Sequence, residues 1–218
     1  MLRRNMSRNG SEQICMADTA TQKISPKHEI RRAQIIACAE GEFEKHGFHG
    51  AGMSAIAKAC GMSVGHLYHY FSSKEELIQA VVQAELDRQA CRLDELESLP
   101  PEMLASDAAR KVETILMHND NPYRTVLNFE MLAEAQRNPK IAQMLQVNDK
   151  LMRDRFCALL ISAGVDEPED RTELLLAFFS GLPARALRHP EQERQSLVDV
   201  LVPVVEKIFG EPFRKTET

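Results

Sequence analysis

Apolar residues recur along this chain at intervals of three and four, and glycine or proline stands at almost every place where the rhythm breaks. That period predicts helices, and no run alternates long enough to predict a strand. Ser25-Pro26 offers an N-cap followed by a first-turn proline, after which Ile30, Ala33, Ile36, Ala37, Cys38 and Phe43 keep helical spacing up to Gly47. Gly50 and Gly52 mark a loop. A second helix starts near Met53-Ser54, with Ala55, Ile56 and Ala59 as its expected apolar stripe, and Gly61 ends it as a left-handed C-terminal cap. Ser63 is placed to cap a third helix, Val64 to Tyr70, and Leu67 and Phe71 lie i, i+4 apart on its inner side. Ser73 with Glu76 three residues on makes a capping box for a fourth helix reaching about Glu97.

Pro100-Pro101 breaks the chain. A fifth helix is expected over Glu102 to His118, a sixth from Asn121-Pro122 to Ala135, and a seventh from Asn138-Pro139 to Gly164. An eighth runs from Pro168 to Arg188, where His189-Pro190 stops it, and a ninth from Glu191 to Phe209 before Gly210. The fold class is therefore all-α with about nine helices. Residues 1–25 are polar and aperiodic, with Arg3, Arg4 and Arg8, and read as a disordered basic arm able to touch DNA backbone or minor groove. Residues 26–72 form a three-helix unit, 73–210 a helical body and 211–218 a tail.

A short helix, a glycine turn and a second short helix is the helix-turn-helix plan, whose second helix enters the DNA major groove. With Leu67 and Phe71 turned inward, Gly65, His66, Tyr68 and His69 face outward, flanked by Ser63, Val64 and Tyr70. Histidine and tyrosine can hydrogen-bond base edges or phosphates. Ser54 near the start of the second helix and Lys74 at the start of the fourth are phosphate candidates, the latter joined by the first backbone N–H groups of its helix. Arg31 and Arg32 read first as a solvated face.

The stretch Met53 to Leu77 resembles the DNA-binding signature of the TetR/AcrR family of bacterial one-component repressors. The resemblance rests on Ile56-Ala57, Ala59-Cys60-Gly61, Ser63, Gly65, Leu67-Tyr68, Tyr70-Phe71, Ser73-Lys74 and Glu76-Leu77. Cys60 stands where the family usually has alanine, and His66 where it usually has threonine or serine. The signature covers roughly Ile30 to Leu77; the rest agrees in helix count and spacing. The resemblance implies a ligand-responsive transcriptional regulator, a repressor released from its operator by a small-molecule inducer. It also implies that Lys74 contacts a phosphate and that two C-terminal helices from each subunit form a homodimer.

Charge sharpens this picture. The chain of 218 residues carries a net charge of -5. Residues 1–80 hold ten Lys and Arg against eight Asp and Glu, whereas 81–218 hold seventeen against twenty-four, so positive charge gathers at the end a nucleic acid would need. No apolar run approaches the ~20 residues of a membrane span, and residues 1–25 lack the apolar core of a secretory signal. The five cysteines, at 15, 38, 60, 91 and 157, show no metal spacing. A cytoplasmic protein with reduced thiols, no metal and no cofactor is expected. P-loop and HExxH motifs are absent, which argues against an enzyme. The alternative is a helical small-molecule-binding or adaptor protein that keeps the helix-turn-helix as scaffold.

Two further sites are expected in the body. Leu174, Phe178, Leu182, Leu197, Leu201, Val204, Val205 and Ile208 carry more apolar surface than a monomer's exterior accommodates, and are expected to form the dimer interface; Pro183 and Pro203 should kink their helices. A ligand pocket is expected from the apolar Met103, Leu116, Met117, Phe129, Met152, Phe156 and Phe178, with His118 and Glu130, and more loosely Arg124 and Asn128, as polar groups.

Overall fold

The computed structural model describes residues 26–118, 122–188 and 193–210. The basic arm, the Ser25 and Asn121 caps, the His189-Pro190 stop and the tail lie outside them. Among the described residues there are nine α-helices and no strand. They are α1 (Pro26–Gly50), α2 (Met53–Ala59), α3 (Val64–Tyr70), α4 (Lys74–Glu97), α5 (Leu104–Glu113), α6 (Pro122–Ala135), α7 (Pro139–Ser162), α8 (Pro168–Arg188) and α9 (Arg194–Gly210).

The helix ends follow local chemistry. The regular part of α1 stops at Gly47, where φ is 67°. A Cβ there would also come within 3.1 Å of the Glu130 carboxylate, so the close approach adds to the positive φ in favouring glycine. The α2 turn closes in the Schellman manner: Met62 N–H donates to the Ala57 carbonyl and Gly61 N–H to that of Lys58, with Gly61 at φ 64°. Asn138 caps α7, its side chain accepting from the N–H groups of Lys140 and Ile141.

The expected fifth helix is cut in three. A 3-10 turn spans Pro101–Met103, α5 follows, and a π turn covers Thr114–His118. The Thr114 hydroxyl donates back to the Arg110 carbonyl, 2.9 Å away, and this i−4 bond competes with the helix ladder where α5 ends. The helices α8 and α9 continue through Pro183 and Pro203.

Two apolar cores organise the molecule. The first joins α1, α2, α3 and the N-terminal half of α4, and draws in Leu127 and Met131 of α6 and Ile141 of α7. The second gathers Val112, Leu116, Leu160, Leu175, Leu182 and Val205 from α5, the π turn and α7 to α9. The helix-turn-helix unit is thus seated on α4, α6 and α7 of the body. No helix is long and apolar enough to cross a membrane among the described residues.

Candidate nucleic-acid interface and cavity

The helix α3 is anchored from below and open above. Leu67 and Phe71 are fully buried. The stripe that holds α2 is Met53, Ile56 and Ala57, while Ala59 is exposed, a shift of the stripe expected from sequence. Ser63 caps α3 by accepting from His66 N–H at 3.2 Å. Gly65, His66 and His69 are exposed, as are Val64 and Tyr68, and Ser54 is exposed at the start of α2. Tyr70 departs from expectation: its ring is half-buried, 4.8 Å from that of His28 and 5.4 and 5.5 Å from those of His66 and His69. It props the helix from the side and does not stand on the open face.

Arg32 was legible only as a surface charge, yet it clamps this element. Its guanidinium lies 4.1 Å over the Phe71 ring, donates to the Tyr70 carbonyl at 2.7 Å and sits 3.5 Å from Glu76. Those three contacts fix the C-terminal end of α3. Arg31 similarly reaches the Cys60 carbonyl at the turn. The signal available in sequence was the absence of a C-terminal glycine on α3, which leaves its last carbonyls to be satisfied by another group.

The α4 N-terminus carries the capping box. Ser73 Oγ accepts from Glu76 N–H at 3.1 Å, and the Glu76 carboxylate accepts from both the N–H and the hydroxyl of Ser72 at 2.7 Å. The Ser72 hydroxyl bond, with help from its N–H and from Arg32, holds the Glu76 carboxyl below its ordinary range. One of the backbone donors expected to greet a phosphate, Glu76 N–H, is therefore already used. The Lys74 ammonium donates to the His49 carbonyl at 2.9 Å, which fixes it beside α3. The Cys60 thiol is pushed up to about 12 by burial and by hydrogen bonding with Cys38, so it stays protonated and unreactive.

A cavity of about 520 Å³ opens between the two cores, walled by α4 to α8 and the end of α9. Of the residues expected there, Phe129, Met152 and Phe156 line it, and so does Asn128. The others are placed elsewhere. Met103 and Met117 face solvent, Leu116 is fully buried in the second core, and Phe178 packs on that core beside Phe179, which does line the cavity. Glu130 turns away and accepts from Phe48 N–H at 3.2 Å. The side chains of His118 and Arg124 lie outside the described set. Periodicity put Met and Phe on helices correctly but could not say which core each faced. The polar lining groups that sequence reasoning missed include Gln89, Arg92, Lys111 and Asn148.

The expected dimer residues divide. Leu182, Val205 and Ile208 are buried in the protomer's own second core and cannot form an external surface. Leu174 and Val204 are exposed, joined by Val200, and Phe178, Leu197 and Leu201 are half-buried. No group of three or more His, Cys, Asp or Glu could hold a metal among the described residues.

A capped recognition-type helix on a glycine turn, set on a helical body with a cavity, defines a helix-turn-helix regulator fold. The chain belongs to the TetR family. Residues 35–81 match the family described as bacterial regulatory proteins, tetR family, and residues 100–209 match the tetracyclin repressor-like C-terminal domain. Over 116 residues it is 38% identical to the HTH-type transcriptional regulator UidR of Escherichia coli K12. That match covers 53% of this chain and 57% of UidR, little more than half of either. Salmonella enterica GusR is similar in structure, with a TM-score of 0.67 and 27% identity, over 83% of this chain and 95% of that one. AibR, solved in complex with isovaleryl coenzyme A and operator DNA, shares the fold at a TM-score of 0.60 and 17% identity, over 84% of this chain and all of AibR.

Proposed function

We propose that this protein is a DNA-binding transcriptional repressor that acts as a homodimer in the cytoplasm, performs no catalysis, and leaves its operator when a small molecule fills the cavity between the two cores. The observation that carries this reading is the free face of α3. Gly65, His66, Tyr68 and His69 stand clear of the protein on a helix whose opposite side is fully anchored. A side chain added at Gly65 would meet nothing within 4 Å, so its smallness answers no internal packing need and suits a close-lying duplex. His66, Tyr68 and His69 would read base edges, with Val64 giving an apolar contact. Ser54, Ser63 and Lys74 would hold phosphates and set the docking angle. Tyr70 would act by supporting the two histidines. Two such heads in a dimer would read half-sites about one helical turn (~34–36 Å) apart. AibR, of the same fold, binds both kinds of partner; at 17% identity it supplies the fold, and the assignment here rests on this chain's own residues.

The chain also holds a route from cavity to DNA head. Thr125, Asn128, Phe129 and Leu132 of α6 line the cavity. From the same helix, Glu130 holds Phe48 N–H and Glu134 lies 2.9 Å from the His49 ring nitrogen. The His49 carbonyl in turn holds Lys74. Ligand that shifts α6 would move the elbow between α1 and α2 and change the spacing of the two heads. DNA affinity falls if the ligand prefers the poorer-fitting spacing.

The test is fluorescence anisotropy with DNA from upstream of the protein's own gene, across a salt series. Sequence-selective binding that weakens steeply with salt is expected. Tyr68→Ala should lose about 1–3 kcal/mol and relax selectivity, whereas Lys74→Ala should weaken all sequences alike and flatten the salt slope by about one. A folded Tyr68→Ala/Lys74→Ala double variant with unchanged DNA binding and unchanged cellular effect would leave the helix-turn-helix as mere scaffold.

A further inference from the structure

The cavity wall is mainly apolar, and one positive charge in it has no ion-pair or hydrogen-bond partner among the described residues. Arg92 lies 3.3 Å from the carboxylate of Glu85, a buried group that also takes Arg88 at 2.9 Å, and Arg88 continues to Glu40 at 2.6 Å. Two cations and two anions close that set. Asp107 pairs with Arg110, and Asp149 with Arg153 at 2.9 Å. Lys111 of α5 has no ion pair and no hydrogen bond among the described residues, although it is half-buried in the wall. Burial pushes its pKa below the ordinary lysine range; Asp107 and Glu95 oppose that from a distance, and Arg92 and Arg110 add to it. An ammonium so placed is costly unless an anion meets it.

The same cavity holds a chain of amides. Asn148 of α7 donates to the Gln89 side chain of α4 at 3.2 Å, and Gln89 donates to Asn128 of α6 at 3.5 Å. Each amide keeps further donor or acceptor capacity. A volume of about 520 Å³ falls within the usual range of small-molecule sites, about 300–1,000 Å³.

From the unanswered Lys111 ammonium, the apolar wall and the amide chain we infer that the ligand is an apolar organic monoacid, its carboxylate on Lys111 and its body against Phe129, Met152 and Phe156. This rests on the reading of the cavity as the effector site. Arg92 strengthens the local positive field but is already held by Glu85, so Lys111 is the specificity-determining cation. Gln89 and Asn128 stand ready for a hydroxyl or carbonyl on the ligand's body.

The test titrates the full-length protein by calorimetry with acid–amide pairs of equal shape: decanoate against decanamide, and 4-phenylbutyrate against 4-phenylbutyramide. The acid of at least one pair should bind about ten-fold or more tightly than its amide, a preference of about 1.4 kcal/mol. Lys111→Met should erase the preference while keeping the amide's affinity, and Lys111→Arg should retain it. Ligand-free Lys111→Met should melt no lower than the parent, since it removes an unpaired cation from an apolar wall; that melt also serves as its folding control. Equal binding of acid and amide, or a preference that survives Lys111→Met, overturns the acid assignment and leaves the cavity as the effector site. No binding by any of the four overturns the cavity as a site for apolar ligands and this inference with it.

Discussion

Arg32 shows how much a single side chain can carry without touching a partner. It combines a charged hydrogen bond to the Tyr70 carbonyl, a ring contact with Phe71 and an ion pair with Glu76. The ion pair is partly exposed on both sides and contributes little. The bond to the helix-end carbonyl and the stacking contribute more. Arg32→Ala is expected to lower stability by about 1–2 kcal/mol in urea unfolding. It should also weaken DNA binding across all sequences, because α3 loses the clamp that fixes its angle. Arg32→Lys should recover only part, since an ammonium cannot stack and fork at once. Stability and affinity equal to the parent's would show that α3 is held by Leu67 and Phe71 alone. His66 marks another residue-scale departure: its ring lies 5.4 Å from Tyr70 and 6.5 Å from His69, so the two exposed histidines of α3 lean on the half-buried Tyr70.

At the scale of elements, α6 has two working sides. Phe129 and Leu132 face the cavity, while Glu130 and Glu134 grip the α1–α2 elbow. Glu134 is buried, 2.9 Å from a His49 ring nitrogen and 3.7 Å from the Arg137 guanidinium, which compensates its charge. Removing the Glu130 acceptor leaves Phe48 N–H without its partner. A hydrogen bond to a charged group is worth about 1.5–3 kcal/mol, so Glu130→Ala should lower protection of the Phe48 amide about ten-fold or more in hydrogen exchange. Protection on α8 should not change. An unchanged Phe48 amide would remove α6 from the route between cavity and DNA head. Much at this scale was legible in sequence. Capping serines, Asn138-Pro139 and Gly47, Gly61 and Gly164 act locally, and their positions survive in the structure. The π turn at Thr114, the turning of Glu130 toward Gly47 and the division of Met and Phe between cavity and core were not legible. Each depends on which distant helix lies opposite, and a 3.6-residue period gives a face without naming its neighbour.

For the whole molecule, the unanswered question of surface is α8 and α9. Leu174, Val200 and Val204 are exposed to 43, 61 and 43% on helices whose other sides form the second core. In the homodimer proposed above, these exposed apolar residues of α8 and α9 would be covered by the same surface of a second copy. Position decides what a charge does here. Val204→Glu places a carboxylate on the protomer's exterior, where the fold tolerates it but a dimer would have to desolvate it at a cost of several kcal/mol. Val205→Glu, one residue on, puts the same group into a fully buried site and should unfold the body outright. Sedimentation equilibrium on Val204→Glu should therefore report a helical monomer, with operator affinity reduced because a single head reads only one half-site. A Val204→Glu dimer as tight as the parent's would move the interface off α9, and with it the spacing argument that links the cavity to the two recognition helices.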